Sequence, residues 1–273
     1  MKNLKTGMAL LLILGAAVSC QKDREYNLSP SVNVANDVVL SGQAFTHPFR
    51  MVLKAVNDPV LAVNFVDTID KALVTWDTAE NKYKFVYFSV LCPDSVVRYG
   101  SFEAYLSGPI GDPGTLIRIF FPNYLEDSHL IDGWDSIVND GPDQQGRLVF
   151  ANYILNGLIH KDSLIIRWDA TYRYLVDPAM LAPGADVTYC IRGEAEGISS
   201  KGYPFSATIR DSLVTTFSCP WILSGTIDLL IPVADIQTGT IDYLPGDGCT
   251  NRIKYDFEGN IYYIRQNHEY LGN

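Results

Sequence analysis

Residues 164–174 show a period-2 alternation. Leu164, Ile166, Trp168, Ala170, Tyr172 and Tyr174 share one parity, and Arg167, Asp169, Thr171 and Arg173 share the other. Successive side chains of a strand point to opposite faces, so this pattern describes a strand with one dry face and one wet face. Antiparallel sheets with one side on a core look like this. Residues 203–210 repeat the pattern, with Tyr203, Phe205, Ala207 and Ile209 against Pro204, Ser206, Thr208 and Arg210. From Val38 onward no long 3.6-residue periodicity stands out. Short alternating runs are punctuated instead by Gly, Pro, Asn and Asp. The fold class this implies is all-β, an antiparallel sandwich or meander with little helix. Residues 83–91 are apolar on both parities and read as a central strand covered on both sides. The tail reads as a meander of strands at 221–231, 239–243, 252–257 and 261–265, with Gly259 at positive φ in the last turn.

The chain also echoes itself. Cys92-Pro93 precedes Gly100-Ser101-Phe102 and Gly114-Thr115-Leu116, while Cys219-Pro220 precedes Gly225-Thr226-Ile227 and Gly239-Thr240-Ile241. The echo suggests two related sub-domains meeting near residues 140–160, a first β-rich region over 38–150 and a second over 151–273.

The amino end is organised differently. Lys2 and Lys5 precede an uninterrupted small-or-apolar run over residues 8–18, followed by Ser19 and Cys20. This is the layout of a secretory signal over residues 1–19, and the run is far short of the about 20 residues a membrane-spanning helix needs. A cysteine directly after such a run resembles the lipobox of bacterial lipoproteins. The resemblance implies a diacylglycerol on the Cys20 thiol and an acylated new N-terminus. Each buried CH₂ contributes about 0.8 kcal/mol, so a multiply acylated Cys20 holds the protein on a membrane. Gln21, Lys22, Asp23, Arg24 and Glu25 then resemble the short acidic signal that sends lipoproteins of Bacteroides-type bacteria to the cell surface, although Arg24 interrupts the acidic run. Residues 20–37 are otherwise polar and read as the lipidated N-terminus and its tether.

The formal charge is −10, and removing Lys2 and Lys5 with the signal leaves −12. An acidic body is repelled by phosphate backbones and anionic head groups, which argues against nucleic acid as a partner. With Cys20 given to lipid, Cys92, Cys190, Cys219 and Cys249 remain. Four thiols allow three pairings, and free buried cysteines are an equal alternative. If one bridge forms, Cys219–Cys249 is favoured because it closes a short loop within the tail meander. The spacing fits no zinc cluster. His47, His129, His160 and His268 form no close pair and read as surface or loop residues. No nucleophile elbow or phosphate-binding glycine loop occurs. Residues 132–143 concentrate Asp132, Asp135, Asn139, Asp140 and Asp143. Ca²⁺ would accept such oxygens, but the spacing departs from an EF-hand and a solvated loop is the plainer reading. No metal, cofactor or catalytic residue is therefore assigned.

Features of the second half resemble a group of uncharacterised β-rich lipoproteins of Bacteroides-type bacteria: Gly193 and Gly197, Gly202-Tyr203, Leu213, Cys219, Gly225-Thr226-Ile227, Ile241-Asp242-Tyr243 and residues 246–251. Thr250 stands where that group more often carries Asp. The resemblance implies an envelope β-protein without an established activity. Three functions compete. A non-enzymatic surface protein binding a glycan or protein ligand comes first. A structural subunit similar to the fimbrial lipoproteins, trimmed after Arg24, comes second. A surface hydrolase comes third and would need convergent acidic or histidine groups in a cleft.

Overall fold

The structure, a computed structural model, describes residues 30–232, 236–244 and 246–266. Cys20 and the segment Gln21 to Glu25 lie outside the described residues. Among the described residues fourteen strands follow one another: β1 (Val66–Ile69), β2 (Ala72–Asp77), β3 (Lys82–Leu91), β4 (Val97–Leu106), β5 (Leu116–Glu126), β6 (His129–Pro142), β7 (Leu148–Lys161), β8 (Leu164–Val176), β9 (Thr188–Ile198), β10 (Pro204–Thr216), β11 (Cys219–Pro232), β12 (Ile236–Asp242), β13 (Arg252–Phe257) and β14 (Asn260–Arg265). They form a single antiparallel sheet in strict sequence order, β1 to β14. The chain is thus all-β in class, and of the two expected layouts it is the meander. Type I′ geometry closes several hairpins, because positive φ at both central residues matches the strand twist. Asp70-Lys71, Asp127-Ser128 and Glu258-Gly259 all adopt it. Gly259 has φ 81°, as the turn requires.

The alternating segments take the faces their parity dictates. Ile166, Trp168, Ala170, Tyr172 and Tyr174 are buried, whereas Arg167, Thr171 and Arg173 are exposed. On β10 and at the residue before it, Phe205 and Ala207 are buried, Tyr203 and Ile209 pack partly against the core, and Thr208 and Arg210 face water. β3 corrects the expectation of a doubly covered strand. Tyr83, Phe85 and Tyr87 are buried, but Phe88 and Leu91 are exposed.

The amino end of the body brings the largest correction. Pro30–Val56 is an α-helix, α1, so the tether reading fails for residues 30–37 and the β-region does not begin at Val38. Pro30 opens the helix, where its fixed φ is favourable and its missing N–H costs nothing. Eighteen of its 27 residues are buried, and they fall on every side of the helix. A helix enclosed all round shows no amphipathic stripe, which is why the 3.6-residue period is not visible. Its partners come from across the sheet. Phe45 meets Phe121 of β5; Phe49 meets Phe150 of β7, Tyr174 of β8 and Tyr189 of β9. Arg50 donates to the carbonyls of Thr216, Phe217 and Cys219 at 2.7–3.1 Å. Buried Asp37 accepts from both the backbone N–H and the hydroxyl of Ser200 at 2.7 Å. The sheet therefore curls around α1, and one hydrophobic core spans both halves of the chain. Residues 140–160, where a boundary between sub-domains was expected, lie largely within the pairing of β6 with β7. A short helix, α2 (Pro59–Asn64), is capped by Asp58, whose side chain accepts from Leu61 N–H at 2.7 Å. Cys219 and Cys249 are joined by a disulfide, while Cys92 and Cys190 are free.

Candidate functional site

On the outer, water-facing side of the sheet, three neighbouring central strands each present an aromatic ring. Tyr105 stands on β4, Phe120 on β5 and Trp134 on β6. Cross-strand pairing brings them together: Glu103 is opposite Phe120 and Tyr105 is opposite Arg118. The Tyr105 and Phe120 rings meet edge to face, 5.5 Å apart at 89°, and Phe120 and Trp134 lie 6.4 Å apart at 66°. Trp134 is 66% exposed and Phe120 38%. A large ring at that exposure on a sheet face contributes little to the core, so packing does not account for it.

Irregular pairing makes the place concave. Phe102 of β4 faces two residues of β5, Phe121 and Pro122, because the register shifts between Ser101 and Glu103. Gly133 of β6 faces Asn156 and Gly157 of β7, where the register shifts again. A side chain at Gly133, which has φ 133°, would approach Gly157 Cα to 2.8 Å, so only glycine permits this contact. Such bulges bend a strand and re-aim its side chains. The result is a groove of about 630 Å³ lined by the three rings, Phe121, Pro122, Glu103, Arg118, Asp132 and Gly133. Its size is that of a small-molecule site, roughly 300–1,000 Å³.

The polar groups at the rim are fixed to different degrees. Tyr105 Oη donates to Glu103 Oε2 at 3.0 Å, Lys84 lies 3.6 Å from the same carboxylate, and Lys82 Nζ sits 5.4 Å above the Tyr105 ring. Asp132 accepts from the backbone N–H of Gly133 at 2.7 Å.

The titratable groups in the interior are arranged differently. Arg98 forks onto both Asp94 oxygens at 2.6–2.7 Å, and its Nε donates to Glu126 at 2.9 Å. Tyr124 donates to the same Glu126 oxygen at 2.7 Å. Burial alone would lower the Arg98 pKa, but Glu126, Tyr124 and Asp94 outweigh it and hold the guanidinium charged. His47, expected at the surface, stands instead on α1 with its Nε2 3.1 Å from Tyr87 Oη. Burial, followed by Arg98, Arg50 and Lys54, lowers its pKa well below the ordinary value. The cavity beside it, bounded by Gln43, His47, Arg50 and Asp94, holds about 40 Å³. That is room for a water molecule and not for an organic substrate. These carboxylates are engaged by Arg98, so they do not form a free acid–base pair facing a cleft.

The oxygen-rich stretch at 132–143 is mostly strand β6, not a loop. Its ligands diverge. Asp132 faces water; Asp135 turns into the core, where Asn152 donates to it at 2.7 Å; and Asn139 donates to the Ile110 carbonyl. Among the described residues no cluster of three or more His, Cys, Asp or Glu is placed to hold a metal ion. Trp134 escaped the sequence reading because this strand inverts the usual signal, with an aspartate on its dry face and a tryptophan on its wet face. The usable hint is the shared parity of Ile131, Asp135 and Ile137 on one side and Asp132 and Trp134 on the other.

No protein-family model matches the chain, and no curated protein or solved structure matches it either.

Proposed function

We propose that this protein is an envelope lipoprotein, anchored by lipid on Cys20 and carried outward by the signal Gln21 to Glu25, which binds a ligand without transforming it. The observation that carries the binding reading is the outer groove of Tyr105, Phe120 and Trp134. Solvent-facing aromatic rings in a concave site with a few polar groups are what recognition requires. Support for the anchor comes from the sequence of residues 1–25. The buried carboxylates Asp94 and Glu126 are held by Arg98 and are not free for acid–base work.

Two variants separate anchoring from binding. Cys20→Ala should leave the membrane fraction yet keep its groove. Trp134→Ala should remain membrane-bound and lose the response of its tryptophan emission to ligand. Retention of Cys20→Ala on membranes after a high-salt wash would refute the anchor. A ligand response unchanged in Trp134→Ala would refute the groove.

A further inference from the structure

We infer that the groove of Tyr105, Phe120 and Trp134 takes a neutral glycan chain, an inference that rests on the binding reading above and names its ligand class. The position of the groove in the sheet gives the first reason. β4, β5 and β6 are central strands, each paired on both sides. The ladder between β5 and β6 is interrupted between Ile119 and Tyr124, but both strands are still flanked by others there, so an extended peptide finds no free edge to which it could add as a strand. Recognition falls chiefly to side chains.

Those side chains offer flat apolar faces and scattered hydrogen-bonding groups in close alternation. Trp134 and Phe120 supply the faces, and Glu103, Arg118 and Asp132 stand around them. A pyranose has the complementary design, an apolar C–H face with a rim of hydroxyls that both donate and accept. Carboxylates accept from such hydroxyls and a guanidinium donates to them. Neighbouring strands are about 4.8 Å apart, so rings on three strands make a platform for a run of sugars rather than for a single one. The rings are inclined to one another at 89° and 66°, so each supplies its own contact within that run.

Charge decides between neutral and anionic glycans. Two carboxylates and one guanidinium line the groove, and the whole chain carries −10. Lys84 sits by Glu103 and Lys82 pairs with Glu80 at 2.8 Å, so with its rim the groove is charge-balanced. Nothing there offsets the long-range field of the body, which repels a polyanion.

The test is affinity electrophoresis of the full mature chain through native gels containing soluble neutral polysaccharides (α-glucan, β-glucan, mannan) or a polyuronate. Wild type should be retarded by at least one neutral polymer, with retardation unaffected by salt. Trp134→Ala should weaken it by about ten-fold or more, Trp134→Phe should restore much of it, and Asp132→Asn should weaken it while migration in plain gel stays normal. Trp134 is solvent-exposed, so its loss leaves the core intact and the variant folded. Retardation by the polyuronate alone, abolished in Trp134→Ala, would overturn the neutral-glycan inference and leave the groove as a binding site. Retardation by a neutral polymer that persists in Trp134→Ala would overturn the inference by placing the ligand elsewhere. If no polysaccharide retards the chain but a panel of soluble peptides shifts Trp134 emission, the ligand class is wrong and the groove stands. If neither polysaccharides nor peptides perturb Trp134, the binding reading falls with it.

Discussion

Asp135 is a buried carboxyl whose ionisation bears directly on the stability of the fold. It lies on the dry face of β6, 3% exposed, and burial pushes its carboxyl up to about 8 against the opposing pull of Asn152. Its Oδ2 and the Oδ1 of Asn152 are the two atoms of the pair without a partner. A protonated Asp135 resolves both, since its O–H can donate to the amide oxygen while the amide N–H₂ donates back. In the unfolded chain an aspartate ionises near 3.9, so between about pH 4 and pH 8 folding takes up one proton at this site. A folded pKa above the unfolded one means the stability is fully present below about pH 4 and is lost as pH rises through about 8. The slope is about 1.4 kcal/mol per pH unit, which amounts to about 2.7 kcal/mol between pH 5 and pH 7. Asp135→Asn keeps the shape and the reciprocal hydrogen bonds but carries no proton to lose. Urea unfolding of wild type and variant at pH 5, 6 and 7 should show the stability of wild type falling relative to Asp135→Asn by roughly that amount. The depressed pKa of His47 acts in the opposite direction, costing stability as pH falls, and it cancels in the comparison because both proteins carry it. A difference between the two proteins that stays flat from pH 5 to 7 would mean Asp135 is ionised in the fold, and the argument from its orphaned oxygen would be wrong.

Three further outcomes are expected. Phe205→Ala removes a ring that is 3% exposed and touches Trp168 at 5.7 Å, and should cost about 3–5 kcal/mol; Thr208→Ala, on the wet face of the same strand, should stay within about 0.5 kcal/mol, and equal melting temperatures would refute the register. Gly42 lies inside α1 with nothing within 4 Å of where a Cβ would sit, so Gly42→Ala should raise the urea midpoint by the equivalent of roughly 0.5–1 kcal/mol, and a lower midpoint would show that the space is not open. The Cys219–Cys249 disulfide spans 30 residues, so replacing both cysteines with Ser should cost roughly 3–4 kcal/mol by loop-closure entropy, measured as a lower midpoint under non-reducing conditions; an unchanged midpoint would mean the tail is held without the bridge.

What was legible in the sequence follows from which physical signals are local. The strands at 164–174 and 203–210 declare themselves because each has one wet and one dry face. The tail meander was legible because glycine and asparagine mark its turns. Helix α1 was hidden for the opposite reason. Enclosed by the sheet on every side, it needs apolar residues all round, and Val32, Val34, Val38 and Val39 read as readily as strand. Phe88 misled because an exposed apolar residue on β3 cannot be distinguished from a buried one by parity. The groove was illegible as a unit, since Tyr105, Phe120 and Trp134 meet only through cross-strand register and bulges that no single segment encodes. Asp132, singled out for its oxygen, lines the groove beside Trp134.

The most direct measurement of the central claim is collisional quenching of tryptophan emission by acrylamide, with and without a polysaccharide retained in the native gels. Trp168 is 1% exposed and Trp221 8%, Trp76 is half-buried, and Trp134 is 66% exposed. Most of the accessible emission should therefore come from Trp134 and disappear in Trp134→Ala. Saturating ligand should shield that component in wild type and leave the residual quenching of Trp134→Ala unchanged. A ligand that binds while the accessible component stays fully quenchable would contradict the claim that this groove is where the protein makes contact.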